Sequence, residues 1–169
     1  MKIYSKIFFL IILGFSTNSC INPFAPKLNE DLGSEGSLIS DLSSIEGVFK
    51  NLQYAYTFKD TTIYGDLLDK AFTFTYRDYD REIDVAWGRE DEMRVTYGLF
   101  NNSERLDLIW NNIVAITSDS SNVVRSFNLT ITFNPTDVIF IDGKVNLQLE
   151  KSIETEKWQI LTWIDESNF

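Results

Sequence analysis

Between Glu104 and Glu166, apolar residues return at every second position in four runs, 105–117, 123–133, 138–150 and 157–165. That period is the pleat of a β-strand with one buried face. The clearest run, Arg125 to Phe133, sets Phe127, Leu129, Ile131 and Phe133 inward and Ser126, Asn128, Thr130 and Thr132 outward. The connections 118–122, 134–137 and 152–156 are short and polar, so neighbouring strands are expected to pair antiparallel. Asp142-Gly143 interrupts the third run. It reads either as a bulge that bends one long strand, which a sharply curved sheet favours, or as a hairpin turn.

Upstream the period becomes helical. Ile45, Val48, Phe49, Leu52 and Tyr56 share one helical face, and Ser43-Ser44-Ile45-Glu46 fits a capping box with Ser43 as the cap. Asp60 or Thr61 can cap a shorter helix carrying Ile63, Leu67 and Leu68. Residues 71–77 alternate again, with Phe72, Phe74 and Tyr76 on one face, and predict a strand. Residues 78–85 are acidic and read as a loop or ragged edge. A third helix is expected from Trp87, with Trp87, Met93, Tyr97 and Phe100 inward. Glu90, Asp91 and Glu92 would then sit in its first turns, where the helix dipole favours acids.

The first twenty residues follow neither period. Lys2 and Lys6 precede a short apolar run, Ile7 to Phe15, and small or polar residues lead into Cys20. This is the layout of a secretory signal, too short to cross a bilayer as a helix, which takes about 20 apolar residues. It resembles a bacterial lipoprotein signal in which the cysteine becomes the lipidated first residue. Thr17 stands where such signals usually carry Leu, while Ser19 suits the cleavage position. The expected organisation is a signal peptide over 1–19, a tether over 20–40 and one domain over 41–169. Pro23 and Pro26 stiffen the start of the tether and Gly33 and Gly36 loosen its end. As a coil, about 20 residues reach roughly 25 Å. The expected location is the bacterial cell envelope, anchored through lipid on Cys20, on the outer membrane and facing either the periplasm or the surface.

Composition removes several classes of chemistry. The 169 residues carry a net charge of −10. Without Lys2 and Lys6, 13 basic residues face 25 acidic ones, a net of −12. A nucleic-acid partner, which needs a basic stripe, is not expected. There is no histidine, so Ser-His-Asp triads and His-ligated metals are excluded. The one cysteine is Cys20, which leaves the domain without a disulfide or thiol site. Asp78-Tyr79-Asp80-Arg81-Glu82-Ile83-Asp84 suggests calcium, but Ile83 and Arg89 occupy the positions where an EF-hand loop needs Gly and Glu. A solvated acidic loop is the better account. No metal and no cofactor are expected.

The order helix–helix–strand–helix–four strands resembles the nuclear transport factor 2-like (NTF2-like) family, which includes ketosteroid isomerases, scytalone dehydratases and SnoaL-like polyketide cyclases. Three stretches carry the likeness. They are Leu67-Leu68-Asp69-Lys70-Ala71-Phe72-Thr73-Phe74, Trp87 with Glu90, Glu92 and Leu99-Phe100, and Trp158-Gln159-Ile160-Leu161-Thr162-Trp163. The resemblance implies an α+β fold, a cone-shaped (cystatin-like) roll in which a strongly curved antiparallel sheet wraps around three helices. A pocket open at one end is implied with it.

Tyr54, Tyr76, Trp87, Trp110, Phe127 and Trp163 are the candidate lining of that pocket. They either fill it or hold a flat apolar ligand. Ketosteroid isomerases in this family use an Asp base and a Tyr. Asp107, Asp165, Tyr54 and Tyr76 have the right chemistry here, but none aligns with the family's catalytic positions, so no catalytic residue is assigned. The expectation is a non-catalytic, membrane-tethered domain that binds a small apolar ligand or a protein partner, with a possible homodimer through the sheet. The rival is a small isomerase, dehydratase or cyclase using Asp and Tyr. Free volume and an unpaired buried carboxylate near a Tyr hydroxyl would favour the rival.

Overall fold

The structure is a computed structural model, described here over residues 39–167. The expected signal peptide, Cys20 and the tether lie outside the described residues.

Two helices open the domain, α1 (Ile45–Phe58) and α2 (Thr61–Leu67). Ser44 caps α1, accepting from the Gly47 backbone N–H at 3.1 Å. The expected cap was one residue earlier. Ser43 instead donates to Asp41 at 2.7 Å, and Glu46 accepts from Arg125, so the capping box is not closed. Asp60 caps α2 through the Thr62 and Ile63 amides. Val48, Phe49, Leu52 and Ala55 form the fully buried face of α1.

β1 (Leu68–Asp78) follows without a break, and β2 (Ile83–Gly88) pairs with it antiparallel. This corrects two expectations. Part of the acidic stretch is an edge strand, and Trp87 belongs to that strand, because α3 (Arg89–Asn102) starts only after Gly88. The strand is short and half-buried only at Val85 and Trp87, which leaves its alternation weak. Within α3, Glu92, Thr96 and Phe100 form the buried stripe, while Tyr97, expected inward, is 60% exposed.

The remaining strands are β3 (Arg105–Ile116), β4 (Asn122–Asn134), β5 (Asp137–Lys151) and β6 (Trp158–Asp165). The six strands form one curved sheet in the order β2-β1-β6-β5-β4-β3. All pairings are antiparallel except β1 with β6, which is parallel, so the sheet is mixed rather than antiparallel throughout. Returning to the middle of the sheet from the far edge lays β6 beside β1 in the same direction.

No bulge occurs at Asp142-Gly143. Those residues pair regularly with Asn128 and Phe127 inside a continuous β5, and the register shifts of β3 with β4 fall around Ile113 instead. Gly143 has another reason to lack a side chain. A Cβ there would stand 2.3 Å from the Cα of Ser167, where the C-terminal segment crosses.

The core is continuous from α1 and α2 to the inner faces of β3–β6, through Leu106, Leu108, Val123, Val145, Leu147 and Ile160. Each such side chain contributes about 1.5–3 kcal/mol on burial. Arg125 fastens α1 to the sheet. Its guanidinium donates to Glu46 at 3.0 Å and lies 4.8 Å from the centre of the Phe49 ring.

Candidate functional site

Where the sheet curls past α1 and α3, the core is left incomplete, and a cavity of about 280 Å³ remains. That is close to the small end of ligand pockets, roughly 300–1,000 Å³. Its walls are chiefly apolar. Leu108, Leu129 and Ile131 come from β3 and β4, and Phe74 and Trp87 from β1 and β2. The Phe74 and Trp87 rings stack with centroids 4.5 Å apart.

Four of the six predicted lining residues reach this cavity, namely Trp87, Trp110, Phe127 and Trp163. The other two do not line it. Tyr54 stacks on Phe58 on the opposite side of α1, beside a separate surface groove. It lies two residues from Leu52, about 200° around the helix, so the helical period already turned it outward. Tyr76 packs edge-on against Trp87, with centroids 5.7 Å apart. Asp107 is outside, paired with Arg105 at 2.7 Å. Asp165 does line the cavity.

The polar groups of the cavity gather around two carboxylates. Glu92, 5% exposed, accepts from the Tyr64 hydroxyl at 2.6 Å, Trp87 Nε1 at 2.6 Å and the Thr96 hydroxyl at 3.1 Å. The helical stripe 92–96–100 could have disclosed it, but acids in a first helical turn ordinarily face water. Asp165 accepts from the Ser167 amide at 3.0 Å and the Ser167 hydroxyl at 2.9 Å. Burial raises the Asp165 pKa above its usual value, the Ser167 hydrogen bonds oppose this, and Glu166 adds to it.

Tyr56, which the sequence placed inward but not in the pocket, lines the cavity together with the two acids. Burial lifts its phenol pKa well above the usual range, and the charges of Glu92 and Asp165 add to the effect. The neighbouring Tyr64, whose ring meets that of Tyr56 edge-on with centroids 6.0 Å apart, opposes the rise and donates its own proton to Glu92 at 2.6 Å.

Among the described residues no group of His, Cys, Asp and Glu is arranged to hold a metal ion. A more polar hollow lies between Asn128 and Glu166, bordering Gly143 and Lys144.

No protein-family model matches the sequence. No curated protein matches it either. Solved structures do. A protein from Kribbella flavida superposes with a TM-score of 0.63 at 10% identity, over 76% of this chain and 91% of that one. A Novosphingobium aromaticivorans protein provisionally named a scytalone dehydratase gives 0.63 at 12% identity, over 74% and 82%. An NTF2-like protein of unknown function from Cytophaga hutchinsonii gives 0.52 at 11%, over 74% and 90%. At these identities the likeness is one of fold.

Proposed function

From a domain with the nuclear transport factor 2-like fold, we propose a lipid-anchored protein of the bacterial envelope whose cavity holds a small, largely apolar ligand without transforming it. None of the described helices is long and apolar enough to cross a membrane. Attachment in this reading is through lipid on Cys20, and one chain of lipid is marginal where two or more hold.

The observation that carries the binding role is the cavity itself, about 280 Å³ walled by aromatic and aliphatic side chains. What supports the absence of chemistry is that the more deeply buried of its two carboxylates is taken up by the fold, Glu92 already accepting three hydrogen bonds.

A second reading keeps one specific support. Asp165 lines the cavity with a raised pKa and, among the described residues, without an ion pair. It shares that space with the Tyr56 phenol, which is the combination of free volume, carboxylate and Tyr that the rival reading requires. In that reading Asp165 moves a proton in an isomerase, dehydratase or cyclase reaction. The outer sheet face, where Ile109 and Phe140 are exposed at 55% and 78%, is where a second copy would dock. Light scattering should then report a dimer that Phe140→Asp dissociates, and a wild-type monomer would remove the dimer from the proposal.

Mass spectrometry of the protein extracted from its native membranes tests the main reading. The expected mass is that of a chain beginning at Cys20 with acyl groups attached, accompanied by a small apolar molecule under native conditions. An unmodified Cys20 would overturn the anchor, and a chain that never carries a ligand would overturn the binding role.

A further inference from the structure

The ligand's chemistry can be narrowed by asking which polar groups the cavity still offers. Most of its side-chain donors are committed elsewhere. Trp87 Nε1 and the Thr96 hydroxyl donate to Glu92, and Trp110 Nε1 donates to the Phe49 carbonyl at 2.8 Å. The Ser167 hydroxyl donates to Asp165. Trp163 Nε1 has no partner, but it is shielded from solvent and presents nothing to the cavity. The acceptors are not exhausted. A carboxylate has about four lone-pair sites. Glu92 uses three of them and Asp165 two.

Charge points the same way. Buried charges are ordinarily paired. Among the described residues the ion pairs lie elsewhere, at Asp78, Asp84, Asp91, Asp107 and Glu46, and neither cavity carboxylate has a Lys or Arg within reach. The missing counter-charge sits beside aromatic rings. Phe74, Trp87 and Trp163 line the same space, and ring faces attract cations. The chain's net charge of −10 favours the approach of a cation from a distance.

We propose that the ligand is a protonated amine on a flat apolar body, its ammonium placed against Asp165 and the Tyr56 oxygen and its rings against Phe74 and Trp87. This rests on the reading of the cavity as a ligand site. A carbonyl compound leaves Asp165 without a counter-charge, and a carboxylic acid meets two like charges.

Isothermal titration of the purified full chain at neutral pH with three probes of one shape tests it: naphthylmethylamine, naphthylmethanol and naphthoate. The amine should bind at least about tenfold tighter than the alcohol, a difference of about 1.4 kcal/mol, and the acid should not bind measurably. Asp165→Asn should bring the amine-to-alcohol ratio near one. Asp107→Asn, which removes the same charge outside the cavity, should leave the ratio intact. An alcohol that matches the amine, an acid that binds best, or a ratio unchanged in Asp165→Asn would overturn the amine assignment while leaving the ligand site standing. No binding by any probe would overturn both.

Discussion

Glu92 and Asp165 line one cavity, yet they are built differently. Glu92 projects from the first turn of α3, is 5% exposed, and is met by three donors from α2, β2 and α3. Asp165 ends β6, keeps part of its surface in water, and is held only by Ser167 two residues on. The first arrangement ties three elements together. The second leaves a carboxylate with unused lone pairs and a raised pKa. A buried acid met by three donors serves the fold, and the less coordinated one is the group that the proposed ligand would meet.

Removing Glu92, the acid with three donors, should have the largest effect. Glu92→Ala leaves Tyr64, Trp87 and Thr96 donors buried without a partner, and should cost about 3–5 kcal/mol in urea unfolding. Glu92→Gln keeps the shape and loses part of the acceptance, so about 1–3 kcal/mol is expected. A loss below 1 kcal/mol for the alanine variant would mean that Glu92 does not tie the elements together.

Gly143→Ala attacks the other side. The added Cβ falls 2.3 Å from the Ser167 backbone, so the C-terminal segment must move. A cost of about 1–3 kcal/mol is expected from overpacking. With Ser167 displaced, the two hydrogen bonds that lower the Asp165 pKa are lost, so that pKa should climb further, read by carboxyl NMR titration.

The smallest effect concerns pH. The folded-state pKa of Asp165 is raised above its ordinary value of 3.8. Its favourable contribution to stability is therefore complete below that value and is lost as pH rises through the folded pKa. Asp165→Asn should remove this loss and leave the variant more stable than wild type at pH 7. After allowance for its partial exposure, the gain is less than about 1 kcal/mol. Thermal melts at pH 3 and 7 would show the two proteins diverging toward neutral pH, and parallel curves would deny Asp165 its strained position.

The difference between the acids also explains what the sequence could disclose. The four late strands were legible to within a residue or two, because Leu106, Leu108, Phe127, Leu129 and Ile131 alternate against a single buried face. The edge strand at 83–88 was not, since it is short and only Val85 and Trp87 are half-buried. Trp110, Phe127 and Trp163 were legible because large aromatics on inward strand faces must enclose something, whereas Trp87 was named for the pocket from a helix it does not belong to. Tyr56 and Glu92 were overlooked for different reasons. The helical stripe named Tyr56 as core, and the cavity it lines exists only once the sheet has curled. Only the stripe 92–96–100 sets Glu92 apart from Glu90 and Asp91, and its Tyr64 partner lies 28 residues away in the chain. Gly143 was read as a bend because its true neighbour, Ser167, touches it only after the sheet has closed.

All of this depends on the cavity being a place where a molecule sits. Tryptophan fluorescence during titration with a neutral naphthalene probe addresses that directly, because Trp87, Trp110 and Trp163 all line it. The wild-type chain should show saturable quenching. Leu129→Trp, which fills the cavity from β4, should abolish it while melting cooperatively. Quenching that persists in the filled variant, or none in the wild type, would contradict a ligand site within the curl of the sheet.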